Sequence, residues 1–536
     1  MEALYTTKIS SLVLKVPRVA GGESGSLIFP ASDPGRTAVC AWPHFAMRSD
    51  WSSLPLLALK QVLRYLNRAD ALSCMSTCRH WRTAMLMYED QKTTLKVRVN
   101  DLERSLFVSR IFRKQTKRLI VLVNSCDSVH MARFMNTVMT LFYDVKLQEL
   151  VFVGNCYLHQ NKLASIPEIP RTAVERLVLR MRTLKRLGLM GCKISSANNR
   201  KLGIKDKENI RGTESIRLRV YNNDPSPCDS VLSKCNTDIM VYSNLQAMIL
   251  DYELINTESL ETLSQLKMFR HLTMLIRDKP SFSLKPIDWL RLQASYANPL
   301  NVTVCLIQLQ SDKIQEVMDN VFVQGLELVA LKALYCKTMY MDAIVQVVNM
   351  YNKSLQEFVW ADCPYDSTDH SLRSLRNVRL PELNMCSVNP LILMCWQCER
   401  LRRVVVHGYW IWQYDVVGMM RLRHSLRHLE LSSVFSTGSR ALRLGDGISR
   451  VMKGDPPQRV GPDFLEQISE FKGMSGWTPV PHGLLHAGLR AAAPQRDRAA
   501  YVLLETRTPL GVTYPYPHWR QHYYEQLVIP KTHSYD

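Results

Sequence analysis

Cys395 and Cys398 form the only Cys-x-x-Cys in the 536-residue chain, and thiols at that spacing can hold zinc or exchange disulfides. A closed zinc site needs four ligands, and no second Cys or His pair stands at zinc spacing, so neither a structural zinc nor a RING-type ligase is expected. The pair falls within Pro390 to Glu399, an apolar segment that reads as a helix with buried thiols. Cys74 and Cys78 are one helical turn apart and read as interior positions of a small helical unit. Gly22-Glu23-Ser24-Gly25 lacks both the Lys-Ser/Thr of a phosphate loop and the Gly-x-Ser-x-Gly of a nucleophile elbow, and reads as a turn. His-Glu-x-x-His and kinase signatures are also missing from the sequence. The residue types propose no reaction, no metal and no cofactor; a binding protein is expected.

Composition says what kind of partner. Hydrophobic residues make up 46% and charged residues 22%, ordinary for a globular chain. The net charge of +20 could mark a nucleic-acid or membrane surface, but the basic residues are scattered, which favours protein partners. The densest run, Arg110, Arg113, Lys114, Lys117 and Arg118, reads as a solvated helix face. Fourteen cysteines without paired spacing and a Met-Glu-Ala start lead us to expect a reducing compartment, cytoplasm and/or nucleus. No run of about 18 apolar residues offers a membrane span.

The elements that would position such a binding surface begin at Trp51. Between Trp51 and Tyr88, Leu59, Val62, Leu63 and Leu66 fall at helical spacing on one face. Pro55 suits a first helical turn, with Ser52 and Ser53 ahead of it to cap. Asn67 to Asp70 interrupts the stripe, and Asp70 is placed to cap a second short helix carrying Ala71, Leu72, Cys74 and Met75. A third helix would carry Cys78, Trp81 and Met85 inward. A unit this short buries little surface, so an exposed apolar face should meet a partner.

Leu54-Pro55, Val62-Leu63-x-Tyr65-Leu66, Asp70, Cys78-Arg79 and Trp81 resemble an F-box. The sequence departs from the pattern at Leu57, where an acid is common, and at Ala58 and Ala71, where Leu is usual. The resemblance implies docking on the Skp-type adaptor of cullin-RING ubiquitin ligases, with Leu54, Pro55, Leu59, Val62, Leu63 and Leu66 as the adaptor contacts.

Beyond the F-box, the alternation Leu95, Val97, Val99 and the run Leu119 to Val123 read as strands. A spacing then recurs: Leu147-x-x-Leu150-x-Phe152-x-x-Asn155, Leu184-x-x-Leu187-x-Leu189-x-x-Cys192 and Leu355-x-x-Phe358-x-Trp360-x-x-Cys363. Looser copies start at Leu245, Phe269, Leu375, Leu401 and Leu426. From Leu355 to Leu375 is 20 residues, to Leu401 26 more and to Leu426 another 25, which are horseshoe repeat lengths. These copies resemble leucine-rich repeats. The expected fold is therefore α/β: a short all-α F-box, then an irregular leucine-rich-repeat horseshoe with a parallel concave sheet and convex helices, one of them around Trp412, Tyr414, Val417 and Met420. Residues between the inward leucines would point out of the concave face, which makes Asn377, Arg379, Arg403, Val405, His407, His428 and Glu430 the candidate substrate contacts. The two arginines suit carboxylates or phosphates and the histidines could confer pH dependence.

The boundaries follow: a loop-rich leader over 1–48, F-box over 49–90, repeats over 91–442 with a polar, mobile insertion at about 195–241, and an extension over 443–536. In the extension we expect a short helix at Phe464 to Phe471, a final strand at Ala500 to Leu504, and an aromatic cluster from Tyr514 to Tyr524 that caps the last repeat. The expected function is the non-catalytic substrate receptor of an SCF-type ligase, reaching cullin and a RING subunit through the adaptor and holding a protein substrate on the repeats. The competing reading is a basic repeat scaffold for nucleic acid or another anionic partner, with a vestigial F-box.

Overall fold

The computed structural model describes residues 52–87, 94–158, 167–170, 181–194, 217–221, 238–364, 389–436, 448–453, 460–471 and 477–510, apart from isolated positions and short loops within them. Helices α1 (Leu56–Tyr65), α2 (Arg68–Thr77) and α3 (Arg79–Met87) come first. They have a core of their own: Leu59, Leu63, Ala84 and Met85 are buried together, with Leu54, Leu66 and Trp81 packed against them.

A 12-stranded sheet follows. Its parallel members, in spatial order, are β1 (Thr94–Arg98), β2 (Arg118–Val123), β3 (Glu149–Gly154), β5 (Arg186–Met190), β9 (Ala247–Asp251), β10 (His271–Ile276), β11 (Asn301–Ile307), β12 (Leu328–Leu334), β13 (Glu357–Ala361), β14 (Arg403–Trp412) and β15 (His428–Phe435). The short pairs β4 (Glu168–Ile169) with β6 (Lys193–Ile194), and β7 (Arg217–Tyr221) with β8 (Asp238–Tyr242), stand outside it, and β16 (Ile448–Arg450) joins the end of β14 antiparallel. Strand order follows chain order, and parallel neighbours demand a crossover each time. The crossovers include α4 (Leu102–Phe112), α5 (Ser128–Thr137), the one-turn α6 (Asn155–Leu158), α7 (Thr257–Ser264), α8 (Pro286–Ala294), α9 (Ser311–Val321), α10 (Met341–Tyr351), α11 (Pro390–Gln397) and α12 (Gln413–Leu422).

The sequence pattern explains the layers. Strand side chains alternate between faces, and the leucine positions Leu119, Leu150, Leu187, Met248, Leu272, Phe358, Val404 and Leu429 all bury against helix residues such as Phe134, Trp289, Val347, Met394 and Met419. The intervening positions, Ile120, Val151, Ile249, Val359 and Val405, bury on the opposite face against Val480, Leu485, Leu489 and Tyr501 to Leu504. Both faces are therefore covered, as parallel sheets require. The cover on the second face comes from the C-terminal extension, where α13 (Pro462–Ser469) precedes two single 3-10 turns and α14 (Gln495–Arg507).

Four expectations change. Ala500 to Leu504 is helix, not strand: an apolar run of that length has no period to tell them apart, and α14 is buried continuously from Ala499 to Arg507. β11 and β12 went unread: β11 has Pro299 where the opening leucine of the spacing would stand, and β12, Leu-Val-Ala-Leu-Lys-Ala-Leu, hides its alternation in a continuous apolar run around a buried Lys332. The copy at Leu375 lies outside the described residues, yet β13 hydrogen-bonds directly to β14, Glu357 facing Arg403, so no strand from it enters between them. Finally, the polar insertion contributes β7 and β8, Arg217 opposite Asp238, where no regular structure was expected.

One glycine marks where β14 runs past the end of β13 and takes up β16, its pairing with β15 resuming beyond it. Gly408 has φ +82°, and a Cβ there would lie 2.4 Å from the Asp362 carbonyl oxygen. The register with β15 breaks just there, between Val406 and Trp410. Asp362, at the end of β13, accepts from Tyr409 Oη at 2.5 Å and lies 3.4 Å from Arg450 Nη1.

Candidate functional site

Two surfaces were singled out by sequence, and the structure treats them differently. In the helical unit, α1 starts after Pro55, whose carbonyl accepts from Leu59 N at 3.0 Å. Asp70 lies inside the first turn of α2, not ahead of it; an acid there still favours the helix N-terminus. Cys78, half-buried like Cys74, stands just ahead of α3 and caps it: its Sγ accepts from Trp81 N at 3.5 Å and its carbonyl from Arg82 N. His80 Nε2 lies 2.6 Å from the Leu54 carbonyl oxygen, tying α3 to the start of α1.

Of the six expected adaptor contacts, Pro55 is exposed, and Leu54, Val62 and Leu66 are half-buried. Leu59 and Leu63 are 0% and 1% exposed. Those two are corrected to interior positions: they hold α1 against α3 and cannot touch a partner while the helices stay packed. Leu56 and Leu57 are exposed beside Pro55 and were not among the expected contacts: Leu57 falls off the helical stripe, whereas Leu56, three residues before Leu59, begins it.

The second surface is filled. Arg403, Val405 and His407 lie on the predicted side of the sheet but are buried, and His428 and Glu430 retain little exposure. The correction is physical: the apolar side chains of α14 complete a core on that face, so these residues are not an open substrate patch. Asn377, Arg379 and the cluster Tyr514 to Tyr524 lie outside the described residues.

What the face holds instead is a set of buried ion pairs. Glu505 on α14 takes a bidentate contact from Arg403, 3.0 Å and 3.3 Å. Lys332 Nζ donates to the Glu505 carbonyl oxygen at 2.7 Å, and stands 3.6 Å from its carboxylate and 3.9 Å from that of Glu357. Two residues on, Arg507 Nε donates to Glu149 Oε1 at 2.8 Å, while Arg186 lies 3.6 Å from the other oxygen and donates to the Arg507 carbonyl at 3.2 Å. Two residues turn a helix by about 200°. One helix end thereby reaches β12 to β14 with Glu505 and β3 to β5 with Arg507. Burial alone would raise the Glu505 carboxyl, but Arg403 and Lys332 hold it below the ordinary range; burial likewise opposes Glu149, and Arg507 and Arg186 outweigh it.

Glu430 completes the arrangement. Its two oxygens lie 2.9 Å and 3.0 Å from His407 Nε2 and His428 Nε2, and those hydrogen bonds hold it well below the ordinary range against the opposing effect of burial. A cavity of about 30 Å³ opens beside it, bounded by Arg403, His428, His486, Tyr501 and Thr508, room for roughly one water.

The missed residues had a sequence signal. Four of them stand immediately before a core-facing leucine position: Arg118, Glu149 and Arg186 face one another across β2, β3 and β5, and Glu357 on β13 faces Arg403, already singled out, which in turn faces His428. Alternating sign down that column is the pattern of paired charges.

A further buried acid lies at the end of β9. Asp251 accepts from Gly191 N at 2.6 Å and from Tyr157 Oη, and burial pushes its carboxyl up to about 6 despite those bonds and Arg277. A raised acid stabilises the fold fully below its unfolded value, near 3.8, and loses that contribution as pH rises through about 6. Asp251→Asn carries no such dependence. The melting temperature of the variant minus that of the parent should therefore rise between about pH 4 and pH 7; an unchanged difference would place the charge elsewhere.

Among the described residues, no group of three His, Cys, Asp or Glu could hold a metal ion, and Cys395 and Cys398 are buried thiols, each pushed up to about 12 by burial. No described helix is long and apolar enough to cross a membrane.

Comparison with known proteins bears on the helical unit. Residues 51–89 match the F-box domain. F-box only protein 33 of Homo sapiens is 30% identical over 93 residues, 17% of this chain and 15% of that protein. Its Mus musculus counterpart is 27% identical over 141 residues, 26% of this chain and 21% of that protein. The chain thus aligns with less than a quarter of either relative.

Proposed function

We propose that the protein is a non-catalytic substrate adaptor of an SCF-type ubiquitin ligase, binding a Skp-type adaptor through α1 to α3 and, through it, cullin and a RING subunit. The F-box match over residues 51–89 carries this reading. The exposed start of α1 at Pro55, Leu56 and Leu57 supports it, since a small helical unit with apolar surface in water gains by docking. We read residues 91–442 as irregular leucine-rich repeats, supported by the succession of strand and helix in chain order, and assign them the holding of a protein substrate in the cytoplasm or nucleus. Such a scaffold accelerates transfer by raising effective concentration and needs no reacting residue of its own.

The test is affinity purification of the full chain from cells. Adaptor and cullin should co-purify. Their absence, together with a nucleic-acid complex that dissolves in salt, would replace this reading with that of an anion-binding scaffold.

A further inference from the structure

With the sheet face covered by α14, exposed apolar surface gathers elsewhere. It lies at the C-terminal ends of three neighbouring helices. Trp396, in the last turn of α11, is 64% exposed, and Leu422, at the end of α12, is 42% exposed. Arg423 joins these ends: its guanidinium donates to the carbonyls of Cys395 and Trp396 at 2.8 Å each and of Glu399 at 3.2 Å. The last turn of α10, which packs on α11, adds Met350, 38% exposed. Isolated exposed apolar residues are ordinary, but a tryptophan, a leucine and a methionine on adjoining helix ends form a patch, and patches mark contacts.

The rim gives the partner's sign. Lys353, Arg400 and Arg421 are exposed around these turns, and among the described residues none of the three is ion-paired. Helix ends attract basic residues through their dipoles, but Arg423 already occupies the carbonyls of α11. The remaining cations face solvent. Glu399 is the one exposed carboxylate among the described residues of these turns. Exposed Trp with Arg is also the composition of binding hot spots.

We propose that the ends of α10, α11 and α12 form a docking surface for an acidic, amphipathic helical segment of the ubiquitination substrate, a reading of the partner that rests on the adaptor function proposed above. The apolar stripe of that segment covers Trp396 and Leu422, and its carboxylates meet the basic rim.

The probe is a synthetic fluorescein-labelled helical peptide with a Leu/Phe stripe flanked by Glu, titrated into the full chain at physiological ionic strength and read by anisotropy. Controls are a scrambled peptide of equal composition, the same stripe flanked by Lys, and a single-stranded oligonucleotide. The Glu-flanked stripe should bind at least about tenfold tighter than any peptide control. Trp396→Ala, and separately Arg400→Glu with Arg421→Glu, should each lose about tenfold, at an unchanged melting temperature because all three side chains are exposed. Equal binding of the scrambled peptide, indifference to Trp396→Ala, or an oligonucleotide that competes equally in parent and variant would overturn the dock and leave only non-specific charge. Adaptor co-purification is measured on the same variants. It should persist in Trp396→Ala, and its failure in the parent chain would sink the adaptor reading while the peptide titration still decides the surface.

Discussion

Replacing Glu505 by Ala should cost about 3 to 5 kcal/mol, because it strips a buried Arg403 of its bidentate partner and a buried Lys332 of its nearest carboxylate, leaving Glu357 and Glu430 to neutralise them without those hydrogen bonds. Unfolding of the full chain in urea, followed by tryptophan fluorescence and by protease cleavage within Gln495 to Thr508, should show the midpoint fall and α14 open first. Arg403→Met alone should be damaging for the converse reason, stranding two carboxylates against one lysine. The pair together, Arg403→Met with Glu505→Leu, should recover much of the loss, since removing both charges also removes their desolvation cost. A double variant whose loss equals the sum of the singles would mean that the two side chains do not act as a unit.

The arrangement matters beyond stability. Apolar contact from Tyr501 to Leu504 would hold a helix in this face without any charges, so the ion pairs contribute something that area does not. Strand residues of alternating sign accept a helix in one register, with an acid at one position and a base two residues later. We take α14 to be fixed in place by that code. With that face filled, the docking surface proposed above sits on the helix ends, where exposed Trp396 lies near the exposed Arg400 and Arg421.

Much of this was readable before the structure. Seven of the strands, β3, β5, β9, β10, β13, β14 and β15, announce themselves through leucine spacing because each leucine position faces a helix in the same core, and one physical demand repeated along a chain leaves one repeated mark; the F-box helices, β1 and β2 show through their own apolar periodicity. What was not readable depends on segments far apart. The identity of the residue pairs on the second face is set by α14, more than 100 residues from Glu357 and more than 300 from Glu149 in sequence. Nothing local distinguishes an Arg403 that waits for a substrate from one that already holds Glu505. The same holds for Leu59 and Leu63: a stripe at helical spacing states that one face is apolar, and it does not say whether the covering surface is a partner or the neighbouring helix α3.

That distinction yields the sharpest test of the F-box. Leu63→Ala removes a side chain from a core whose fully buried members are Leu59, Leu63, Ala84 and Met85, and a buried Leu truncated to Ala costs about 2 to 5 kcal/mol. A unit of this size has little stability to lose, so α1 to α3 should melt in the variant, seen as lost amide protection over Leu56 to Met87 while the sheet remains protected. Adaptor binding should vanish with it. Pro55 is exposed and Leu54 half-buried, so Leu54→Ala with Pro55→Ala should leave amide protection in α2 and α3 near that of the parent and still weaken the adaptor by about tenfold or more, each apolar contact contributing on the order of 1 to 3 kcal/mol. Titration calorimetry with purified Skp-type adaptor separates the cases. If the double variant binds as tightly as the parent, the adaptor does not use the start of α1; if it binds weakly only because the helices have melted, Leu54 belongs with Leu63 in the interior and not at the interface.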